Sequence, residues 1–507
     1  MKETRENWGS RTGFILAAIG SAVGLGNIWR FPHEAYSNGG SAFLIPYIVA
    51  MIVIGIPLLI MEFSLGHLTQ QAAPGAFKKV GRRWEFVGWW PIVLSFIIVC
   101  YYAVVLAWCL NYLIDSFQSP LPWSENPKRY FFDEYLQFTQ SHNLSGFRWP
   151  IVAALAVVWS IMYLCIFKGV KIVSKIVLWT VPIPWLMLLI LTVRGLTLDG
   201  AIQGLEYYLE PDWVVLKDPK VWRAAFGQVF FSMTIAFGVM ITYASFLHRK
   251  SDINNNALII ALADLATSFI AGIAVFATMG ALALKTGQPV HEVLDKSESV
   301  GLAFVAFPEA LSQLPLPNIF SAIFFIALLL LGIDSAFSIT EAALASMIDK
   351  TGWKRIGVLT VMSLVGFSVG LLFTTRGGLS WLGTVDGIVN EGTWGIMFVG
   401  LIECLVLGWC FDVGKLRSHA NSNSDWKLGP WWEWSIRVVV PGILATLFCW
   451  NLYDDVTCET GFLIDAQGEL IDQNILNLCM TLFVFMLAVI LALWQPKKIT
   501  KIVEFDT

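Results

Sequence analysis

The chain has 507 residues, of which 56% are hydrophobic and 14% are charged, and its mean hydropathy is +0.67. This composition is typical of a protein that crosses a membrane many times, and it excludes a soluble domain of any size. The formal net charge of −4 argues against nucleic acid as a partner, because surfaces that bind nucleic acid are strongly basic.

Apolar runs predict twelve transmembrane helices, which makes the expected fold class an all-α polytopic membrane protein. The predicted spans are residues 11–36, 41–67, 86–115, 150–168, 176–195, 222–247, 255–285, 317–348, 356–374, 381–411, 434–453 and 474–494. An even number of spans leaves both termini on one side of the bilayer. Because lysine and arginine concentrate in the loops on that side, we expect cytoplasmic termini and a location in the cytoplasmic (plasma) membrane.

The first predicted span is interrupted at its centre by residues 24–27, Gly-Leu-Gly-Asn. Hydrocarbon offers no hydrogen-bond partners, so opened backbone at this depth is tolerated only where protein buries it or where it lines a cavity. Close packing of small residues between helices explains the glycines, but it does not explain Asn27 or Arg30. The interruption therefore predicts a discontinuous helix that holds something polar.

The sixth predicted span repeats this pattern. Two aromatic residues, Phe231 and Phe237, flank a centre of small and polar residues, which are Ser232, Thr234, Ala236 and Gly238. The two interrupted helices each begin a block of five spans, which is the arrangement of an inverted-repeat transporter. In that arrangement, half-helix N-termini face a substrate anion and freed carbonyl groups face cations.

These patterns predict the organisation of the whole chain. We expect a cytoplasmic N-terminal segment at 1–10 and a first five-helix repeat at 11–195. A second, inverted five-helix repeat follows at 222–411. Two additional helices at 434–494 and a cytoplasmic tail at 495–507 complete the chain.

Six acidic residues lie inside or near the middle of predicted spans, namely Glu62, Asp264, Asp334, Glu341, Asp386 and Glu403. A charge in the membrane interior costs about 2.5–3.5 kcal/mol on insertion scales, so it suggests a function. Asp334 precedes Ser335 at the depth of the first interruption, and such oxygen ligands suit a hard cation such as Na⁺. Asp264 provides a second position of this kind. For Glu62, Glu341 and Glu403, a hydrogen bond between helices is an equally good explanation.

Other functions have less support in the sequence. Seven of the eight cysteines lie in or at the ends of predicted spans, which argues against an external disulfide. The six histidines show no paired ligand spacing, so we expect no zinc site. Motifs of hydrolases, metalloproteases and phosphate loops are absent, so we expect neither an enzyme nor catalytic residues. A channel is disfavoured because selectivity filters use symmetric rings. A membrane sensor would share every binding residue with a transporter.

Five motifs carry a resemblance that covers nearly the whole chain. They are AVGLGNIWRFP in the first span, NGGSAFLIPY at 38–47, GIPLLIMEFSLG at 55–66, FFSMTIAFG at 230–238 and GIDS at 332–335. These motifs resemble the neurotransmitter:sodium symporter family, which includes the bacterial leucine transporter. The resemblance implies a fold with two inverted five-helix repeats. It also implies sodium-coupled import of a small zwitterion by alternating access.

The resemblance implies two sodium ions. At the first site, sodium would be held by the substrate carboxylate together with Ala22, Asn27, Ser232 and Asp264. At the second site, the ligands would be three backbone carbonyl groups and two side chains, from Gly20, Val23, Leu331, Asp334 and Ser335. Because the substrate completes the first site, each ligand must raise the affinity for the other by the same factor.

The resemblance also implies how the substrate is recognised. Its carboxylate would meet the amides near Leu25 and Gly26 and the hydroxyl of Tyr102. Its amino group would meet the carbonyls near Ala22 and Phe231, and Thr234 Oγ1. Further residues of the pocket would be Gly24, Ile98, Ser232, Phe237, Ser335 and Ile339. Members that carry monoamines have aspartate at the position of Gly24, so an amino acid or related zwitterion is favoured.

A small osmolyte is the alternative substrate class, such as taurine, a β-amino acid or an imino acid. Ala236 replaces a residue that is often glycine in the family, which shrinks the pocket by about one methyl group. One methylene group changes selectivity by only about 1–3 kcal/mol, so this residue does not decide between the two classes. The lipid bilayer is the expected surrounding, and the protein is expected to be a monomer or weak dimer.

Ionic pairs would close the pathway on one side at a time. Arg30 with Asp386 would close the outer side, although Glu391 is an alternative partner in the same stretch. Arg5 with Asp349 would close the inner side, with Trp8 nearby. Phe246 stands where the family often has tyrosine at the inner gate.

Two signals conflict over chloride. Tyr47, Gln228, Ser232 and Ser268 resemble the chloride site of chloride-dependent members. Asp264, in contrast, occupies a sodium-site position where the family usually has asparagine. A carboxylate about 4 Å from a cation contributes about 4 kcal/mol at an effective dielectric constant near 20, so it can supply the negative charge that chloride otherwise brings. We therefore expect chloride-independent transport, with Asp264 protonated on the return step.

Overall fold

The computed structural model describes residues 6–139, 144, 146–290, 299–391, 394–457 and 472–496. These residues form helices joined by short connections, and isolated bridges are the only extended pairings among them. In chain order the principal helices, α1 to α19, are Arg11–Ala22, Gly26–Ser37, Ser41–Thr69, Ala73–Val80, Arg82–Asp115, Trp149–Ile166, Val170–Leu196, Ala201–Leu209, Pro219–Ser232, Val239–Ala244, Asn254–Thr286, Leu302–Ser312, Pro317–Thr351, Arg355–Thr374, Gly378–Asp386, Ile396–Cys410, Val413–Asn423, Pro430–Tyr453 and Asp472–Leu493.

The helices confirm an all-α polytopic membrane protein. In the described part of the chain, eight helices are long and apolar enough to cross a membrane, or up to ten when each of two bent pairs is taken as one span. The predicted sixth span corresponds to α9 and α10, which have only 14 and 6 residues. The predicted twelfth span corresponds to α19, where the apolar part is the short stretch Leu478–Leu493.

The first span breaks where the glycines predict a break. Helix α1 ends at Ala22, and α2 continues from Gly26 at an angle of 49°. The freed amide of Gly24 donates to Asn27 Oδ1 at 2.9 Å, and the amide of Leu25 lies 3.4 Å from Tyr102 Oη. Side chains therefore replace the helical acceptors that the break removes, as buried backbone requires.

The sixth span breaks between Ser232 and Val239. Thr234 and Ala236 have φ values of +54° and +62°, which L-residues adopt at a cost of about 1–3 kcal/mol each. The amide of Ala236 donates to Glu62 Oε1 at 2.7 Å, and Glu62 is fully buried. A side chain from α3 therefore stabilises this break.

Two long helices flank both breaks. Helix α13 packs against α5, α1 and α7, and it carries Asp334 and Ser335. Helix α5 carries Tyr102. The long helices thereby bring hydroxyl and carboxylate groups to the depth at which α1 and α9 end.

The helices differ from the predicted spans at two places. The predicted span 381–411 is divided into α15 and α16, with a further helical turn at Gly387–Glu391. The stretch that follows this span is not wholly a loop, because α17 continues to Asn423 after turning 95° from α16. Asp412 caps α17 by accepting from the amide of Gly414 at 3.1 Å, and this local bond starts a new helix in a polar sequence.

A pair of histidines joins α3 to α17. His67 Nδ1 and His419 Nε2 are 2.8 Å apart, and His67 Nε2 is 2.8 Å from the carbonyl oxygen of His248. A carbonyl oxygen only accepts, so His67 Nε2 carries a hydrogen and His419 Nε2 donates to the neutral ring. Burial, His67 and the charge of Arg249 lower the pKa of His419 to about 4.

This histidine pair predicts a loss of stability in acid. Between pH 6.5 and about 4, the unfolded chain binds a proton at residue 419 that the folded chain does not bind. Stability therefore decreases as the pH falls through this range. The melting temperature of His419→Gln in detergent should decrease less than that of the unsubstituted protein between pH 7 and pH 4.5. His248→Gln, which changes an exposed ring, serves as the control, and equal decreases in all three proteins would contradict the assignment.

Candidate functional site

A small cavity lies between the two helix breaks. Its volume is about 30 Å³, which accommodates about two water molecules. All twelve residues predicted to bind substrate line it, together with Ser21 and Asn27. The twelve are Ala22, Gly24, Leu25, Gly26, Ile98, Tyr102, Phe231, Ser232, Thr234, Phe237, Ser335 and Ile339. The structure thus brings together residues from α1, α2, α5, α9, α13 and the break after α9.

Glycine is required at two positions of the cavity wall. A Cβ atom on Gly24 would lie 2.7 Å from Ser335 Oγ and 3.4 Å from Tyr102 Oη. A Cβ atom on Gly26 would lie 2.7 Å from the ring of Phe231. A side chain at either position would therefore displace the groups that surround the cavity.

One end of the cavity presents hydrogen-bond donors. Tyr102 Oη accepts from the amide of Leu25 at 3.4 Å, and this leaves its own hydrogen free to donate towards a ligand. Thr234 Oγ1 donates to the carbonyl of Ser21 at 2.8 Å, which joins the sixth-span break to the first helix. The cavity can therefore offer donors to an anionic group beside the opened backbone of residues 24–26.

Asp264 lies next to the cavity at the centre of a buried hydrogen-bond cluster. Its Oδ1 accepts from Asn27 Nδ2 at 2.7 Å, and its Oδ2 accepts from Ser232 Oγ at 2.9 Å and from Tyr47 Oη at 3.2 Å. The carboxylate is fully buried. Three of the four residues predicted for the first sodium site are therefore in direct contact, and Ala22 lines the adjoining cavity.

Three of the four residues predicted for a chloride site lie around the same carboxylate. Ser232 and Tyr47 donate to Asp264, and Ser268 Oγ accepts from Asn27 Nδ2 at 2.8 Å. Gln228 lies on α9, and neither atom of its buried amide has a hydrogen-bond partner in the described part of the chain. The chloride and sodium predictions thus converge on one place, where a carboxylate is already present.

Asp334 is a buried carboxylate with no hydrogen-bond donor within 3.5 Å of Oδ1 or Oδ2 among the described residues. Its side chain is 1% exposed, and the hydroxyl of Thr180 lies near the carboxylate but outside that distance. Gly20 lies against it, because a Cβ atom on Gly20 would be 3.0 Å from Asp334 Oδ2. An isolated buried charge costs several kcal/mol unless an opposite charge accompanies it. This position therefore requires a cation or a proton.

Further oxygen atoms lie close to Ser335, the residue after Asp334. Ser335 Oγ lies 3.2 Å from the carbonyl oxygen of Gly20 and 3.4 Å from that of Leu331. Val23 directly follows the last residue of α1, and its own amide donates to the carbonyl of Ile19 at 2.6 Å. All five residues predicted for the second sodium site thus lie where α1 ends beside the middle of α13.

On one side of the cavity, charged residues surround Phe231 and Tyr101. The guanidinium carbon of Arg30 lies 4.8 Å from the centre of the Phe231 ring. Asp386 Oδ1 accepts from Tyr101 Oη at 2.6 Å and from Asn390 Nδ2 at 2.7 Å. Arg30 and Asp386 both lie close enough to Tyr101 for their charges to interact with its hydroxyl group. The two predicted outer-gate residues therefore lie on the same side of the cavity. The side chain of Glu391 lies outside the described residues.

The opposite side is closed by Trp8. This side chain is 2% exposed, its indole nitrogen donates to the carbonyl of Tyr243 at 2.9 Å, and its amide donates to the carbonyl of Phe246 at 3.1 Å. The Phe246 ring packs edge-on against the indole at 6.4 Å. Asp349 Oδ2 accepts from the amide of Ala72 at 2.7 Å. Arg5, its predicted partner, lies outside the described residues.

The prediction missed one buried ion pair at this closed side. Arg355 pairs with Glu341, which is fully buried, and its Nε also donates to the carbonyl of Ile166 at 3.0 Å. Glu6 lies close enough to add its charge to that of Glu341 around Arg355. The sequence did show Glu341, an acidic residue in an apolar span. It did not show the partner, because Arg355 lies at the start of the next helix.

The fold and these clusters agree with three comparisons. The sodium:neurotransmitter symporter family model matches residues 5–145 and 124–490. An uncharacterised sodium-dependent transporter of Methanocaldococcus jannaschii is 41% identical over 449 residues, which cover 87% of this chain and 89% of that protein. The sodium- and chloride-dependent taurine transporter of Canis lupus familiaris is 32% identical over 487 residues, which cover 88% of this chain and 78% of that protein.

A third relative is similar over most of its length. The sodium- and chloride-dependent GABA transporter 2 of Rattus norvegicus is 32% identical over 496 residues, which cover 90% of this chain and 79% of that protein. The family consists of sodium-dependent transporters and not of enzymes. On the match to the family model and on these relatives, the chain belongs to the sodium:neurotransmitter symporter family.

Proposed function

We propose that the chain imports a neutral amino acid together with two sodium ions by alternating access, across a plasma membrane with its termini in the cytoplasm. The observation that carries this proposal is Asp334, a carboxylate buried beside the end of α1 without a hydrogen-bond partner in the described structure. A sodium ion is the counter-charge that a sodium-dependent family provides.

The second sodium site is built around this carboxylate. Asp334 supplies the negative charge, and Ser335 Oγ with the carbonyls of Gly20, Val23 and Leu331 replaces the water shell of the ion. Two of these carbonyl oxygens already lie within 3.4 Å of Ser335 Oγ. The site joins α1 to α13, so sodium favours the conformation in which these two helices are close.

The first sodium site couples the ion to the substrate. Asn27 and Ser232 each bond to Asp264 beside the cavity, and Ala22 lines the same cavity. A substrate carboxylate that binds at Leu25 and Tyr102 supplies the remaining ligand. Each partner thereby raises the affinity of the site for the other, which is the free-energy coupling that symport requires.

The cavity wall favours a zwitterion over an amine. An aspartate side chain at position 24 would collide with Ser335 and Tyr102 in their present positions, so the pocket has no acid there to neutralise an isolated ammonium group. The donors at Leu25 and Tyr102 instead suit a carboxylate. Ile98, Phe237 and Ile339 give an apolar surface for a neutral side chain.

A small osmolyte is the second candidate substrate. The cavity holds only about 30 Å³, and Ala236 stands at φ +62°, where glycine is conformationally cheaper. Two similar proteins are named as taurine and GABA transporters. A substrate larger than a few heavy atoms requires Tyr102 or Phe231 to move aside.

Asp264 takes the place of chloride in this proposal. Its carboxylate receives the hydrogen bonds of Ser232 and Tyr47, which the predicted chloride site would need. A chloride ion about 4 Å from this charge would be repelled by about 4 kcal/mol at an effective dielectric constant near 20. Asp264 is neutralised by a proton when the carrier returns empty. The taurine and GABA transporters, by their names, differ from this chain in requiring chloride.

The two ends of the pathway open in turn. Arg30 and Asp386 act around Phe231 and Tyr101 on the outer side. Trp8 leaves its contacts with Tyr243 and Phe246 when the inner side opens. The pair formed by Arg355 and Glu341 anchors the α13–α14 end of the bundle during this movement.

Transport assays with purified protein test the proposed function. Proteoliposomes under an inward sodium gradient are given each proteinogenic amino acid, taurine, betaine and γ-aminobutyrate in turn, with potassium in place of sodium as the control. We expect sodium-dependent uptake of a neutral amino acid. Uptake of taurine or γ-aminobutyrate alone would establish the osmolyte alternative. Sodium-dependent binding without uptake would establish a sensor and overturn the proposal.

Replacement of Asp334 tests the second sodium site. Asp334→Asn keeps the shape of the side chain but removes its charge, so sodium-dependent uptake should be abolished while the protein still folds. Glu403→Gln is the matched control, because Glu403 is also fully buried and its carboxylate also lacks a hydrogen-bond partner in the described structure. Normal sodium affinity in Asp334→Asn would reject the site.

Replacement of Tyr102 tests the position of the substrate carboxylate. Tyr102→Phe removes one hydrogen bond to a charged group, which is worth about 1.5–3 kcal/mol, so the substrate Kd should rise by roughly 10- to 100-fold. Tyr112→Phe on the same helix is the control, because Tyr112 Oη bonds instead to the carbonyl of Phe304 at 3.2 Å. Equal Kd values in the two variants would place the carboxylate elsewhere.

Anion replacement tests the role of Asp264. Uptake by the unsubstituted protein should be unchanged when gluconate replaces chloride. In Asp264→Asn the negative charge is lost, so uptake should fall and should then be stimulated by chloride. Loss of uptake by the unsubstituted protein in gluconate would refute chloride independence.

A further inference from the structure

An open groove lies where α16 ends and α18 begins. Its volume is about 430 Å³, and its walls include Trp409, Glu433, Trp434 and Arg437. Helix α18 is a candidate membrane span, and α16 forms one together with α17 as a bent pair, so we place the groove where the bundle leaves the hydrocarbon. It is at the same end of the molecule as Trp8, since α17 follows α16 and contacts the end of α3 beside His248.

Of the three guanidinium nitrogens of Arg437, Nε is bonded to the protein in this groove. Its Nε donates to the carbonyl of Gly408 at 3.1 Å, and the indole nitrogen of Trp409 donates to the carbonyl of Arg437 at 3.0 Å. Within the described part of the chain, no acceptor reaches Nη1 or Nη2 of Arg437. The guanidinium group is therefore fixed in position, and its two outer nitrogens remain available as donors.

The charge of Arg437 is not neutralised by the acid beside it. Glu433 Oε1 is already paired with Arg417 Nε at 2.7 Å. The three side chains together carry two positive charges and one negative charge. In the described part of the chain no carboxylate pairs with Arg437, so its positive charge can attract an anion.

The rim of the groove has the composition of a membrane interface. Trp409 and Trp434 are 68% and 66% exposed, and Val438, one helical turn further along α18, is 46% exposed. Indole rings concentrate at the level of lipid headgroups, where one part of the ring meets hydrocarbon and the nitrogen meets polar groups. A ligand in this groove would have its charged part at Arg437 and its apolar part along Trp434 and Val438.

We propose that this groove binds the headgroup of an anionic phospholipid. The phosphodiester oxygens accept hydrogen bonds from Arg437 Nη1 and Nη2, a geometry that guanidinium groups favour. The acyl chains lie along the exposed apolar face of α18. The tryptophan rings enclose the glycerol region, and the bound lipid holds the end of α16 against the start of α18.

Native mass spectrometry of the full chain tests this proposal. The protein is released from nanodiscs that contain either phosphatidylglycerol or phosphatidylcholine, and bound lipids are counted. We expect about one retained phosphatidylglycerol per chain that phosphatidylcholine does not replace, and we expect Arg437→Gln to lose it. Lys171→Gln, which removes an exposed positive charge on α7, should keep it. Equal retention in both variants would overturn the proposal.

Two further measurements test the same site. The first does not depend on whether Arg437→Gln folds, and the second distinguishes a lipid headgroup from free phosphate. Glu433→Gln removes the acid that lines the groove in the described part of the chain and leaves Arg437 intact, so it should increase retention of phosphatidylglycerol. If Arg437→Gln does not fold, Glu433→Gln still tests the proposal. Retention of phosphatidylglycerol that does not increase in Glu433→Gln would contradict a lipid site at Arg437. Inorganic phosphate at millimolar concentration should not displace the lipid, and displacement would indicate a site for free phosphate instead.

Discussion

Two helices open their backbone in the membrane interior, and the rest of the molecule is arranged to satisfy the groups that this exposes. Water is absent at that depth, so each freed amide or carbonyl group needs a protein partner or a ligand. Asn27 and Tyr102 serve the first break, and Glu62 serves the sixth-span break. Beside the first break, α13 adds the carboxylate of Asp334, whose chemistry suits sodium. In the proposed function, binding of ions is therefore a consequence of the interrupted helices.

Because both breaks face one cavity, ion and substrate share ligands in the proposed function. Asn27 and Ser232 line the cavity and also contact Asp264. In the proposed mechanism, a substrate that fills the cavity therefore changes the surroundings of the first sodium ion directly. The strained conformations of Thr234 and Ala236 keep the sixth-span break open, at a cost that burial of the surrounding helices offsets. Coupling in this account requires no distant communication.

Much of the fold could be predicted because its signals are local. The glycines at 24 and 26 and the small residues at 232–238 placed both breaks, and the cavity is lined by the residues that the family resemblance implied. What could not be predicted depends on contacts between residues far apart in the chain. Glu62 reaches Ala236 across 174 positions, and His67 reaches His419 across 352. Periodicity and composition report neither contact. Helix α17 was missed for a different reason, since Asp412 caps a helix in a polar sequence where composition indicates a loop.

The most direct test of the account is the thermodynamic linkage between substrate and sodium in purified protein. The Kd of the transported substrate is measured by equilibrium binding at several sodium concentrations, and the Kd of sodium is measured with and without saturating substrate. A shared first site predicts that each ligand lowers the Kd of the other by the same factor, roughly 5- to 150-fold for a coupling of about 1–3 kcal/mol. Sodium affinity that does not change when substrate saturates the protein would show that the two ligands share no site, and the account would be wrong.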